Sequence, residues 1–110
     1  MIPIILEKRK EISRACERFK VEELSLFGSA VTGLFRPGES DLDFVAEFVD
    51  RAPTGEYADR FLDFAEELER LFECPVHLIS NPSIRNPYLL REIENTRQVL
   101  YARHHSETSA

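Results

Sequence analysis

Apolar side chains at Ile5, Ile12, Cys16 and Phe19, with charged residues between them, form one stripe on a helical period. Residues 4–19 are therefore expected to make an amphipathic helix. The short apolar run Leu24-Ser25-Leu26-Phe27 stops at Gly28 and reads as a strand. One helical turn is expected over 29–34, and Arg36-Pro37-Gly38-Glu39-Ser40 is a loop by its Pro-Gly content. Over 41–48 the pattern alternates: Leu42 and Phe44 face one way, Asp41, Asp43 and Val45 the other. Pro53 and Gly55 break the chain, after which Tyr57, Phe61, Phe64, Ala65, Leu68 and Phe72 recur at helical spacing. Pro75-Val76-His77-Leu78-Ile79 is a third strand, opened by a proline as strand ends allow. Asn86-Pro87 predicts a helix start, with Asn as cap and Pro at the first helical position. That helix should run to about Asn95 and bury Leu89, Leu90 and Ile93, and Gln98-Val99-Leu100-Tyr101 should close the fold as a short strand.

Helices alternating with strands predict an α/β domain in which helices flank a small sheet. The link between the first two strands is too short for a crossover helix, so the sheet should be mixed rather than all parallel. At 110 residues the chain suffices for a single domain, expected over 1–102, followed by a polar tail over 103–110 that frays.

The charge changes the picture of what this domain can bind. With 14 basic against 20 acidic residues the formal net charge is −6, whereas gripping nucleic acid through its phosphates calls for a basic surface. A stand-alone nucleic-acid binder is therefore not expected. A small nucleotide held through a metal, or a basic protein partner, is compatible. No apolar run approaches the ~18 residues of a membrane span, and Met1-Ile2-Pro3-Ile4-Ile5-Leu6-Glu7-Lys8 lacks the features of a secretory leader. Cys16 and Cys74 fall in apolar settings on separate elements and read as small buried hydrophobes in a reducing, cytoplasmic setting.

Candidate chemistry concentrates in two places. Gly28-Ser29 stands where an apolar strand ends, a place where backbone N–H groups are free to meet a phosphate; Ser29 can also cap the following turn. Asp41 and Asp43, two apart on a strand, present carboxylates to one face. Hard oxygen donors of this kind suit Mg²⁺, which is held by one or two carboxylates together with substrate phosphates. Ser40 is expected only to orient the turn before Asp41. His104-His105 lies in the tail and reads as a bystander, the phenylalanines of the long helix read as core, and Arg85, Arg91 and Arg97 read as solvated.

With Leu26-Phe27-Gly28-Ser29, Ser40-Asp41-Leu42-Asp43, Asn86-Pro87 and Val99-Leu100-Tyr101, the chain resembles the minimal nucleotidyltransferases of the DNA polymerase β superfamily. Such proteins are usually the antitoxin half of pairs with an all-helical HEPN-domain toxin. The resemblance implies a polymerase β-like fold, a triphosphate held at Gly28-Ser29, and Mg²⁺ or Mn²⁺ held by Asp41 and Asp43. It implies AMP moved from ATP to a tyrosine hydroxyl of the toxin, which silences it. Three positions depart from the family pattern. The spacing between Gly-Ser and the first aspartate is one residue longer, an insertion placed in the Pro37-Gly38-Glu39 loop where it costs little. Thr32 stands where arginine is common. Most consequential, His77 occupies the position of a third carboxylate that would help bind the metal and activate the hydroxyl. Imidazole is a poor ligand for Mg²⁺ but a competent general base near neutral pH. Two readings stay open: transfer with His77 among the catalytic residues, or a fold with decayed chemistry that neutralises a toxin by occlusion.

Overall fold

The computed structural model describes residues 3–32, 41–49, 55–80 and 86–103. In chain order it contains α1 (Pro3–Glu7), α2 (Arg9–Arg18), β1 (Val21–Phe27), α3 (Ser29–Thr32), β2 (Leu42–Phe48), α4 (Gly55–Phe72), β3 (Val76–Ser80), α5 (Pro87–Thr96) and β4 (Gln98–Ala102). The strands form one sheet in the order β3-β2-β1-β4. β1 pairs antiparallel with β2 and with β4, while β2 and β3 run parallel. The mixed sheet expected from the short β1–β2 link is therefore present, and the parallel pair is the one joined through a full-length helix, α4.

The two sheet faces differ in kind. Leu24, Leu26, Leu42, Phe44, Ala46 and Phe48 turn to one side and are fully buried with Ile12 and Cys16 of α2 and Phe64 and Leu68 of α4. Aromatic contacts tie this layer together: Phe48 meets Phe64 edge-on at 5.9 Å and Phe44 stacks on Phe72 at 5.7 Å between ring centroids. On the opposite face a smaller cluster joins Phe27, Val45 and Ile93, with Ile79 and Leu89 at its margin. Among the described residues α5 is the helix that covers that side, at the end where β1 stops and β2 begins.

Several expectations are corrected. The first helix is divided at Lys8 rather than continuous over 4–19. Leu90 is 39% exposed; Ile93 and the partly buried Leu89 carry α5 onto the sheet, because residues three and four apart share a helix face and Leu90 is one step off it. β1 begins three residues earlier than its apolar run, at Val21, and β2 begins at Leu42, leaving Asp41 just ahead of the strand. Lys20 and Glu73 have positive φ (57° and 53°) and stop α2 and α4 in the left-handed conformation usually left to glycine. Asn86 caps α5 as expected, its side-chain oxygen accepting from the Tyr88 N–H at 2.9 Å. The Pro37-Gly38-Glu39 loop with Ser40, Pro53, Arg85 and the tail from His104 lie outside the described residues.

Candidate functional site

Register decides which residues meet. Phe27 at the end of β1 pairs with Asp43 of β2, and Asp43 pairs with His77 of β3. Directly paired residues project to the same face, so a single row crosses three strands on the side covered by α5. His77 thus lies beside Asp43, where the resemblance places a third carboxylate. Its Nδ1 is 3.3 Å from Asp43 Oδ1. In the tautomer whose Nδ1–H donates to this carboxylate, Nε2 is the acceptor of the ring. The His77 side chain is 55% exposed and Asp43 26%.

Gly28 follows Phe27 with φ +76°, a left-handed turn that glycine adopts without steric cost. Its carbonyl accepts from Val31 N (3.0 Å) and Thr32 N (3.1 Å), closing the turn that starts α3. The capping position therefore falls on Gly28, and Ser29 becomes the first helical residue, correcting the expectation that Ser29 is the cap. A Cβ at Gly28 would lie 2.8 Å from Asp43 Oδ2 and 3.5 Å from Glu92 Oε1. A side chain there would crowd Asp43 Oδ2, whereas Glu92 Oε1 would stay at ordinary contact distance. The sequence suggested free backbone N–H groups here, but the Gly28 N–H is engaged. It donates to Thr96 Oγ1 at 2.9 Å, and that hydroxyl donates in turn to the Glu92 carbonyl at 2.7 Å.

Glu92 and Thr96 were not anticipated. They are four apart on α5 and flank buried Ile93, so the helix face that packs also delivers them to the Gly28 turn. The surviving signal in the sequence is their spacing around Ile93, which cannot say which strand end the helix covers. Arg97, read as solvated, instead anchors the end of α5 through Nε to buried Ser25 Oγ (2.9 Å) and through its terminal nitrogen to Glu23 Oε1 (2.7 Å). Arg91 is exposed, as expected.

The electrostatics follow from this crowding. Burial pushes the Asp43 carboxyl above its ordinary range; the hydrogen bond and charge of His77 pull it back, and the carboxylates of Glu92 and Asp41 add to the rise. Asp41 is exposed, and its charge raises the Cys74 thiol as well, after burial. Cys16, fully buried, is pushed up to about 12, chiefly by desolvation, and fits the expected role of a small core residue. No group of three metal-ligating side chains is preassembled among the described residues. Asp43 against the Gly28 turn and the exposed Asp41 are hard oxygen donors, the kind a divalent cation takes.

A left-handed glycine turn at a strand end, a carboxylate against it and a helix laid over both mark the candidate site of a small α/β domain. The comparisons make the class specific. The chain belongs to the nucleotidyltransferase domain family, whose pattern it matches over residues 8–100. It is 37% identical over 90 residues to MJ1379 of Methanocaldococcus jannaschii, named as an inferred protein adenylyltransferase, covering 82% of this chain and 85% of that protein. A second protein of that organism with the same kind of name, MJ0128, is 32% identical over the same shares. Among solved structures it is similar to a chain of a toxin–antitoxin complex with AMP-PNP, with a TM-score of 0.67 and 18% identity over 91% of this chain and 77% of that one. It is also similar to a chain of the complex of tri-AMPylated Shewanella oneidensis HEPN toxin with its MNT antitoxin, with a TM-score of 0.62 and 15% identity over 94% and 77%. At those identities the structures establish the shared polymerase β-like fold. Among the described residues no helix is long and apolar enough to cross a membrane.

Proposed function

We propose that this nucleotidyltransferase moves AMP from ATP to a tyrosine hydroxyl of an all-helical HEPN-type toxin, in a reaction dependent on Mg²⁺ or Mn²⁺, and so acts as its antitoxin. The approach of Asp43 to the glycine turn at Gly28 carries the proposal, because it puts a metal-binding oxygen beside the place where a triphosphate would turn. The names of the two relatives and the AMP-PNP and tri-AMPylated complexes support the donor, the partner and the direction of transfer.

In this reading Gly28 and Ser29 orient the triphosphate, and Asp41 and Asp43 hold the cation. When bound, the cation neutralises charge on the phosphates. The tyrosine oxygen forms a bond to the α-phosphorus, the bond from that phosphorus to the β-phosphate oxygen breaks, and pyrophosphate leaves with the electron pair. His77 Nε2 takes the hydroxyl proton and passes it to solvent, while the Nδ1–H bond to Asp43 fixes the ring. Incubation with labelled ATP, Mg²⁺ and the cognate helical partner tests this. Absence of label on the partner at every pH from about 6 to 9 would defeat it.

A second reading is favoured by two observations: His77 in place of an acid beside Asp43, and Thr96 on the Gly28 N–H. In it the domain neutralises a toxin by occlusion alone. Protection of cells by the combined Asp41→Asn, Asp43→Asn variant would support occlusion, and loss of protection would support transfer.

A further inference from the structure

We propose that Thr96 is the positioning residue of the nucleotide-binding turn: its hydroxyl, braced by Arg97, fixes Gly28 in the place that receives the triphosphate. The inference rests on the nucleotidyl-transfer reading and concerns how this chain sets the geometry of that site.

Both backbone groups of Gly28 are engaged. Its carbonyl accepts from the Val31 and Thr32 N–H groups, and its N–H donates to Thr96 Oγ1 at 2.9 Å. The first contacts are internal to the turn, whereas Thr96 belongs to α5, 68 residues further along the chain. Thr96 therefore sets where the turn stands relative to the rest of the site. Small shifts matter there, because a Cβ on Gly28 would lie only 2.8 Å from Asp43 Oδ2. The hydroxyl is itself held, since its proton goes to the Glu92 carbonyl at 2.7 Å.

Arg97 supplies the brace. Glu23, Ser25 and Phe27 alternate along β1 and share the face that α5 covers. Ile93 packs on Phe27, and Arg97 takes the polar half of the row. Its Nε donates to Ser25 Oγ at 2.9 Å and its terminal nitrogen to Glu23 Oε1 at 2.7 Å. Ser25 is fully buried within an apolar run, and a buried hydroxyl calls for such a partner. Adjacent residues at the end of α5 thus grip β1 at two points, Arg97 on Ser25 and Glu23, Thr96 on Gly28. Contacts of this kind hold a binding group to within a fraction of an ångström, and loosening them costs affinity.

Titration of AMP-PNP in the presence of Mn²⁺, followed by calorimetry well below the Tm of every variant, tests the assignment without turnover. Thr96→Val should weaken binding about tenfold or more, and Thr96→Ser, which keeps the hydroxyl, should restore most of it. Arg97→Lys, which lacks the Nε that meets Ser25, should weaken binding in the same direction. Ile12→Val, a loss of packing on the other face of the sheet, should lower the Tm and leave the affinity of the parent. Parent-like affinity in Thr96→Val or Arg97→Lys, with the Tm lowered, would reduce that residue to a structural role and overturn the proposal. Tighter binding by Thr96→Val would also overturn it, by showing that the hydroxyl occupies a donor the phosphate takes. Absence of Mn²⁺-dependent AMP-PNP binding by the parent would overturn the nucleotidyl-transfer reading itself.

Discussion

Asp43 and His77 sit side by side on the parallel strands β2 and β3, with Asp43 Oδ1 3.3 Å from His77 Nδ1. The pair places an imidazole where the resemblance calls for a third acid, and it makes the acid–base behaviour of Asp43 testable. The Asp43 carboxyl is raised chiefly by burial. A carboxyl raised in the folded state contributes stability below its unfolded value, about 4, and that contribution is lost as pH rises through the folded value. Asp43→Asn does not titrate. The Tm of Asp43→Asn relative to the parent, measured without metal, should therefore climb from about pH 3.5 toward neutrality. A gap that stays constant or narrows would contradict the raised value.

If His77 takes the proton, transfer by His77→Gln should fall about 100-fold or more, the range of general-base contributions. Mn²⁺ affinity should change little, since His77 lies on the Oδ1 side of Asp43. Rates of label transfer and a parallel metal titration check both parts.

Gly28→Ala meets two obstacles at once. A left-handed φ of +76° costs an alanine energy, and its Cβ would come within 2.8 Å of Asp43 Oδ2. A loss of roughly 1–3 kcal/mol in chemical denaturation is expected, together with weaker Mn²⁺ binding as Asp43 is displaced.

Thr96→Val keeps the shape of the side chain but removes the acceptor of the Gly28 N–H. Leaving that buried donor unpaired should cost about 1–3 kcal/mol. Thr96→Ser, which retains the hydroxyl, should recover most of it. Thermal denaturation of the two variants separates the hydrogen bond from the packing of the methyl group.

Cys16 is fully buried with its thiol pushed up to about 12, whereas Cys74 is only half-buried. Thiolate is the reactive form, so a maleimide near neutral pH should leave Cys16 unmodified until the chain unfolds. Mass spectrometry of the folded and denatured protein provides the check; labelling of Cys16 in the folded state would contradict its burial.

By itself the sequence determined the elements and their class. Local rules suffice for an apolar run stopped by Gly28, helical spacing through Phe61, Phe64 and Leu68, and the Asn86-Pro87 start of α5, because each depends on neighbours a few residues away. The same local patterns singled out Gly28, Asp43 and His77, which the sheet then brings side by side. The hidden break at Lys8 and the left-handed stops at Lys20 and Glu73 lack any residue signature, since each is a conformation imposed on an ordinary side chain by the packing around it. Only the tertiary structure decided what covers the site. Strand register set Asp43 between Phe27 and His77, and the docking of Ile93 turned Glu92 and Thr96 of α5 onto Gly28. The contacts of α5 with Gly28 join positions 64 and 68 residues apart, and their geometry follows from how a helix seats on a sheet face, which no spacing along the chain encodes.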